Sequence, residues 1–286
     1  MAKRLIIFGD GSVGGGEFGK VRVYGEGIFQ TDILAESIKV YGSATFNGKV
    51  ESDEIQIYGS AAFNEPVTCS RLRLYGSAAF EQSGVFEELM IRGDGEFNRH
   101  VTVDSIKNSG TLVVNGCLIA REVKSYGVMQ GAGKFKVENL LSAGVLETKG
   151  EIEGEKMIIK GAIHNANLIN GEDILIELND QCQCQSIGAS KLMVKSAKCK
   201  RGKSLFTMNK NSEKTILTEK WLANASNKVL IAEEIEGDNL ELNLTKAKVV
   251  RGEKIKIGAL SKIGMVEYSM SLEIDESAEV LQQVRS

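Results

Sequence analysis

From residue 21 onward, apolar and polar positions alternate in bursts of five residues, and each burst closes on a glycine. VRVYG (21–25), IKVYG (38–42), IQIYG (55–59) and LRLYG (72–76) show the pattern most cleanly. The first residue of the burst is apolar through nine copies: Val21, Ile38, Ile55, Leu72, Leu89, Ile106, Val123, Leu140 and Met157. The third is Val23, Val40, Ile57, Leu74 and Ile91, turns polar at Asn108, Ser125 and Ser142, and returns at Ile159. Alternation of this kind marks a strand with one buried face. The closing glycines Gly25, Gly42, Gly59, Gly76, Gly93, Gly110, Gly127, Gly144 and Gly161 stand 17 residues apart. A glycine at each strand end predicts a sharp corner whose backbone angles a β-carbon would forbid.

A second short strand follows each glycine and ends, in the first five copies, on Phe29, Phe46, Phe63, Phe80 and Phe97. A third inward position holds Ile33, Val50, Val67, Val101, Leu118, Phe135 and Ile152. Three strands and three corners in 17 residues predict an all-β fold: a right-handed triangular parallel β-helix, each coil packing only on its neighbours. Left-handed triangular helices usually repeat every six residues, a multiple that 17 does not fit. The phenylalanines then form a core stack.

The regularity divides the chain. Residues 1–202 read as the β-helix body, with Leu5 to Lys20 as its imperfect starting coil and a looser register beyond 173, where Ile176 matches Val194. Residues 203–228, with the one tryptophan, Trp221, break the pattern and read as an irregular insertion. Coils resume over 229–270, and the stretch 271–286, with its helical spacing, reads as a C-terminal cap or tail.

Composition narrows the function classes. Charge is −3 overall with both signs intermixed, which leaves no polyanion footprint, so nucleic acid is not an expected partner. Five cysteines without dense spacing suit a reducing compartment. The apolar run Leu5–Phe8 is too short for a signal peptide or a span, so the expected location is the cytoplasm, with membrane contact only through partners.

Candidate chemistry is sparse. Tyr24, Tyr41, Tyr58 and Tyr75 precede the corner glycines, face outward by parity, and have two readings: rings stacked between coils, or a contact strip for a protein. An acidic column (Glu36, Asp53, Glu87, Asp104, Glu138, Glu155, Glu172) lies three residues before a basic one (Arg22, Lys39, Arg73, Lys107, Lys124), which predicts compensating charge ladders. Cys182, Cys184 and Cys199 lack paired CxxC spacing and read as small core residues rather than a zinc site. His100 and His164 belong to different corners several coils apart, outside any Ser/His/Asp or Cys/His arrangement. GDGSVGGGEFGK lacks the GKS or GKT ending of a phosphate loop. No enzyme activity, cofactor, metal or small-molecule substrate is expected; self-association and protein partners are.

The repeat LRLYGSAAF and the later string EGDNLELNLTKAKVVRGEKIKIGALSKIGMVEYS resemble the bactofilin family of bacterial polymer-forming cytoskeletal proteins, the latter in its Bacillus-type branch. The resemblance covers most of 5–201 and 229–269. It implies a scaffold for cell shape, polar organisation or motility that polymerises end to end without nucleotide. Residues at the two ends of the β-helix would then make the longitudinal contacts: Leu5, Ile6, Ile7 and Phe8 at one, Ile263, Val266 and Tyr268 at the other. Alternatives are a β-helical adaptor that binds a partner without polymerising, and a carbohydrate-active β-helix enzyme. The chain departs from the family pattern in its length, its lack of Pro-rich tails and its insertion.

Overall fold

A computed structural model describes residues 3–196 and 228–286. These form twenty-five strands, β1 to β25 in chain order, in one continuous parallel stack with no helix among the described residues. The fold is a parallel β-solenoid of about 15 turns, on the order of 70 Å long at the usual interstrand spacing. One column of inward residues runs its whole length, from Leu5 through Val21, Ile38 and Met157 to Leu192, Leu240, Ile255 and Leu272. The insertion 203–228, Trp221 and Cys199 lie outside the described residues, Lys228 excepted.

Residues 38–54 show how one coil is built. Ile38 and Val40 point inward on the first side, Ala44 and Phe46 on the second, and Val50 and Ser52 on the third. Between them lie corners of three residues (41–43), three (47–49) and two (53–54). The third and first sides share one strand, as in β5 (Ile33–Val40), yet the alternation slips there: Glu36 and Ser37 both face out and Glu36 drops out of the ladder. That slip is the third corner, and it makes the section triangular.

The core trades volume between columns. Phe29, Phe46, Phe63, Phe80 and Phe97 are buried on the second side, with ring centroids 4.7, 4.7, 4.7 and 4.3 Å apart. Burial of each contributes roughly 2–3 kcal/mol. The neighbouring column is small beside them (Ala44, Ala61, Ala78, Gly95) and grows to Leu112, Met129 and Leu146 once the rings give way to Val114, Gly131 and Thr148. Phe86, on the third side, sets its edge against Phe80 and Phe97, and its ring occupies the space a β-carbon on Gly84 would need. Asn108 and Ser125 stay satisfied inside by a 3.0 Å hydrogen bond, and the Asn108 amide also donates to the Val128 carbonyl.

The corner glycines are required for a reason other than the one their spacing predicts. Only Gly15 and Gly16 among the described glycines have positive φ. At Gly42, Gly59, Gly76 and each later member of the series, an added β-carbon would fall on the carbonyl oxygen of the equivalent glycine one coil earlier. Close approach of successive corners, not backbone handedness, excludes a side chain.

Beyond Gly161 the strands lengthen and the period changes. Asn165, at φ 60°, is the extra residue of a bulge within β20 (Ala162–Leu178), and the register then slips to match Ile176 with Val194. In β22 (Leu230–Leu242) the repeat shortens to 15 residues, from Leu230 to Thr245. Both three-residue corners lose a residue there: only Glu233 and Glu234 separate Ala232 from Ile235, and only Asn243 and Leu244 separate Leu242 from Thr245. Leu244 turns its corner in the left-handed region, at φ 51°. The chain's last residues correct the expectation of helical spacing. Residues 271–274 complete β24 (Lys262–Ile274), and β25 (Glu279–Arg285) adds one more parallel strand. Leu272, Ile274 and Val280 continue the inward columns, whereas Leu281 lies in the corner at 281–282 and Val284 faces outward, a mixture that mimics a helical period over so short a run.

Candidate interaction surfaces

The ends present backbone. Among the described residues, β1 (Arg4–Ile7) pairs only with β3 (Gly16–Val23), and β25 only with β24. Tyr24 donates to the Ile7 carbonyl and Gly19 to that of Lys3, so the alternate residues Arg4 and Ile6 aim their N–H and C=O groups out of the stack. At the other end Glu279 donates to Ser261 and Ser286 to Tyr268; Val280, Gln283 and Arg285 aim theirs outward by the same alternation. Leu5 and Ile6 are half-buried, Ile7 is buried and Phe8 is 75% exposed. At the far end the expected residues are displaced: Ile263 pairs with Val280, Val266 with Gln283 and Tyr268 with Arg285. Strand β25 covers them, so the outermost edge is Val280 to Arg285, with Leu281 78% exposed, beside Leu272 and Ile274. The alternating pairs EV, LQ and QV were too weak a strand signal to reveal it.

The outward tyrosines stack. Phe8, Tyr24, Tyr41, Tyr58 and Tyr75 form a ladder with centroids 4.9–5.1 Å apart and planes within 7° of parallel. Arg92 closes one end, its guanidinium 5.6 Å from the Tyr75 centroid; Tyr126 stands apart. Ring faces are spent on one another, leaving edges and hydroxyls to solvent. Sequence reasoning missed Phe8 and Arg92 as members because neither is a tyrosine. It also missed an amide ladder at the next corner: Asn64 donates to Asn47 (2.7 Å), Asn115 to Asn98 (2.9 Å) and Asn98 to Glu81 (3.0 Å). Its signal is the 17-residue spacing of Asn47, Asn64, Asn98 and Asn115.

The charge ladders pair differently from the expectation. The basic column joins Glu54, Glu88 and Glu122, as Arg73–Glu54, Lys107–Glu88 (3.4 Å) and Lys124–Glu122 (2.6 Å). The last contact holds the Glu122 carboxyl below its ordinary range. Glu36, Asp53, Glu87, Asp104, Glu138, Glu155 and Glu172 make no ion pair among the described residues; they stand in the slipped corner on its third-side edge, while the basic residues lie on the outer first side.

Remaining candidates fall into place as structure. Cys182 and Cys184 are buried in the second-side columns, their thiols pushed up to about 11 and about 12 by burial. His100 sits at a corner, its Nδ1 accepting from the Cys117 amide at 3.0 Å. His164 lies on the outer second side, four coils on, rather than at a corner. Among the described residues no group of three His, Cys, Asp or Glu is placed to hold a metal, and no helix is long and apolar enough to cross a membrane.

No family model matches the chain, and no solved structure matches it. It is similar to two uncharacterized proteins of Bacillus subtilis (strain 168). YhbE is 56% identical over 52 residues, 18% of this chain and 22% of YhbE; YhbF is 39% identical over 56 residues, 20% of this chain and 24% of YhbF. The chain therefore matches less than a quarter of either relative's length. The chain is a β-solenoid protein partially related to YhbE and YhbF.

Proposed function

We propose that this chain is a non-enzymatic scaffold of the bactofilin kind, assembling end to end through its terminal coils in the cytoplasm. The observation that carries this reading is the pair of open strand edges, where among the described residues Arg4 and Ile6 at one end and Val280, Gln283 and Arg285 at the other have outward backbone groups without a partner. An open edge is a template for another strand. Here each edge sits over apolar columns that continue to the end of the stack, Leu5 and Val13 on one side and Leu272 and Val280 on the other. The likeness to YhbE and YhbF agrees with a bacterial setting and names no activity. Support for cell shape, polar organisation or motility is the role such a polymer would serve.

Electron microscopy of the purified chain without nucleotide tests it. Wild type should form filaments, and Val280→Pro with Gln283→Pro should stop them, because proline removes the outward donors. Filaments that persist in the proline variant, or a wild type that stays monomeric, sink the reading. A monomeric wild type leaves an adaptor that uses its outer strip, a reading favoured by the ordered aromatic ladder. Tyr41→Ser with Tyr58→Ser would then abolish partner binding with the β content intact.

A further inference from the structure

The chain's net charge of −3 hides a division between two sides of the prism. Along the outer first side and the corners that bound it, from β1 to the Arg92 coil, Arg4, Lys20, Arg22, Lys39, Arg71 and Arg92 make no ion pair among the described residues. The acids of that strip, Glu54 and Glu88, are already committed to Arg73 and Lys107. Over matching coils, Glu17 and Glu51 stand on the outer third side and Glu36, Asp53, Glu87 and Asp104 at the corner that closes it, all exposed and likewise without ion pairs. No lysine or arginine faces outward among them from 17 to 104; Lys3, Lys49 and Arg99 stand at the margins. The apolar exposure is matched as well: the tyrosine ladder borders the basic side, while Leu34 and Val85, each about half exposed, punctuate the acidic one.

We propose that these two sides bind each other between copies, the basic first side of one rod lying along the acidic third side of a second copy. Six cations without ion pairs, of which Arg92 also lies over the Tyr75 ring, face six carboxylates without ion pairs over five coil spacings, about 24 Å. Both ladders share the same axial repeat, so one match in register sets the others. A charge strip of one sign costs self-repulsion within its own rod, and an opposed strip relieves it on both rods. A second copy is the occupant that carries the complementary strip by construction. The contact is heterologous, since each copy uses a different side, so further copies can add. It uses neither end of the solenoid, so it stands or falls separately from end-to-end assembly.

The experiment is sedimentation velocity in the chain with Val280→Pro and Gln283→Pro, which isolates side-by-side contact from end contact. Association should be present at about 50 mM salt and weaken tenfold or more by about 500 mM, where screening falls to a few ångströms. Arg22→Glu, Lys39→Glu and Arg71→Glu together should abolish it, as should Glu36→Lys, Glu51→Lys and Asp53→Lys together. Mixing the two triple variants should restore it, because one then offers basic sides and the other acidic ones. Circular dichroism checks that each variant keeps its fold. Overturning results are association indifferent to either reversal, a mixture that stays monomeric, or no association of the starting chain at low salt. Vesicles containing anionic phosphatidylglycerol provide the last arm. Binding lost only in the arginine and lysine variant, without self-association, would assign the basic side to lipid and overturn the proposal.

Discussion

At Gly76, the nearest atoms to an added β-carbon are the carbonyl oxygens of Gly59 and Tyr58, which are backbone and cannot swing away. Gly76→Ala must therefore push neighbouring coils apart at a corner where the ladder bonds on either side hold them together. The expected cost is about 2–4 kcal/mol, among the larger effects of a single substitution, read as a lower urea midpoint. An alanine at Gly9, which has open space around it, should cost far less. Buried thiols give a second residue-scale outcome. Burial pushes Cys69 and Cys184 up to about 12 and Cys182 to about 11, from 9.0. Between about pH 9 and 11 the unfolded chain has released these protons while the folded chain still holds them, so stability falls as pH rises. Each thiol contributes a slope of about 1.4 kcal/mol per pH unit. Denaturant melts of Cys69→Ala, Cys182→Ala, Cys184→Ala chains should lose that alkaline steepness while starting less stable at pH 7. Below pH 9 the three thiols should resist a thiol reagent in the folded state.

The columns show what a periodic sequence can and cannot reveal. The first-side residues, the phenylalanines and the third-side aliphatics were legible because a constant 17-residue step puts like on like in consecutive coils. Gly84 broke the third-side column without explanation, since its cause, the Phe86 ring, belongs to a different position of the same coil. Glu36 and Glu54 differ by one place in the period, yet the slipped corner turns them toward different sides, so the ion-pair partners of Arg73 and Lys107 were not legible from spacing. Gly84 and Phe86 should couple. Phe86→Val alone leaves a cavity, at about 2–4 kcal/mol, and Gly84→Val alone overpacks, at about 1–3 kcal/mol. Together they should cost less than their sum by about 1 kcal/mol or more, because the new valine fills space the ring vacates. A double-mutant cycle in urea that returns simple additivity would refute the volume exchange.

For the whole solenoid, the order in which sides are visited constrains how two copies could meet end to end. The described chain begins on the first side with Arg4–Ile7, and its last coil passes from the first side at Leu272 and Ile274 to the second at Val280 and the third at Gln283. A copy stacked head to tail would set its Leu5 next to Leu272, its Ile7 next to Ile274 and its Val13 next to Val280, carrying each column on as within one chain. Parallel pairing would then continue with unchanged spacing. A head-to-head contact would instead oppose two β1 strands as an antiparallel pair and bring Phe8 of each ladder together. These alternatives are separable by disulfide trapping. Arg4 and Ser271 occupy the same outward position of the coil, so a head-to-tail junction places them about one strand spacing, roughly 4.8 Å, apart, within reach of a disulfide. In a chain with Cys117→Ser and Cys199→Ser, Arg4→Cys with Ser271→Cys should oxidise into ladders of covalent multimers, whereas Arg4→Cys alone should stay monomeric on a denaturing gel. Dimers from the single variant, with no ladder from the double, would reverse the polarity of assembly and make the aromatic ladder its seam.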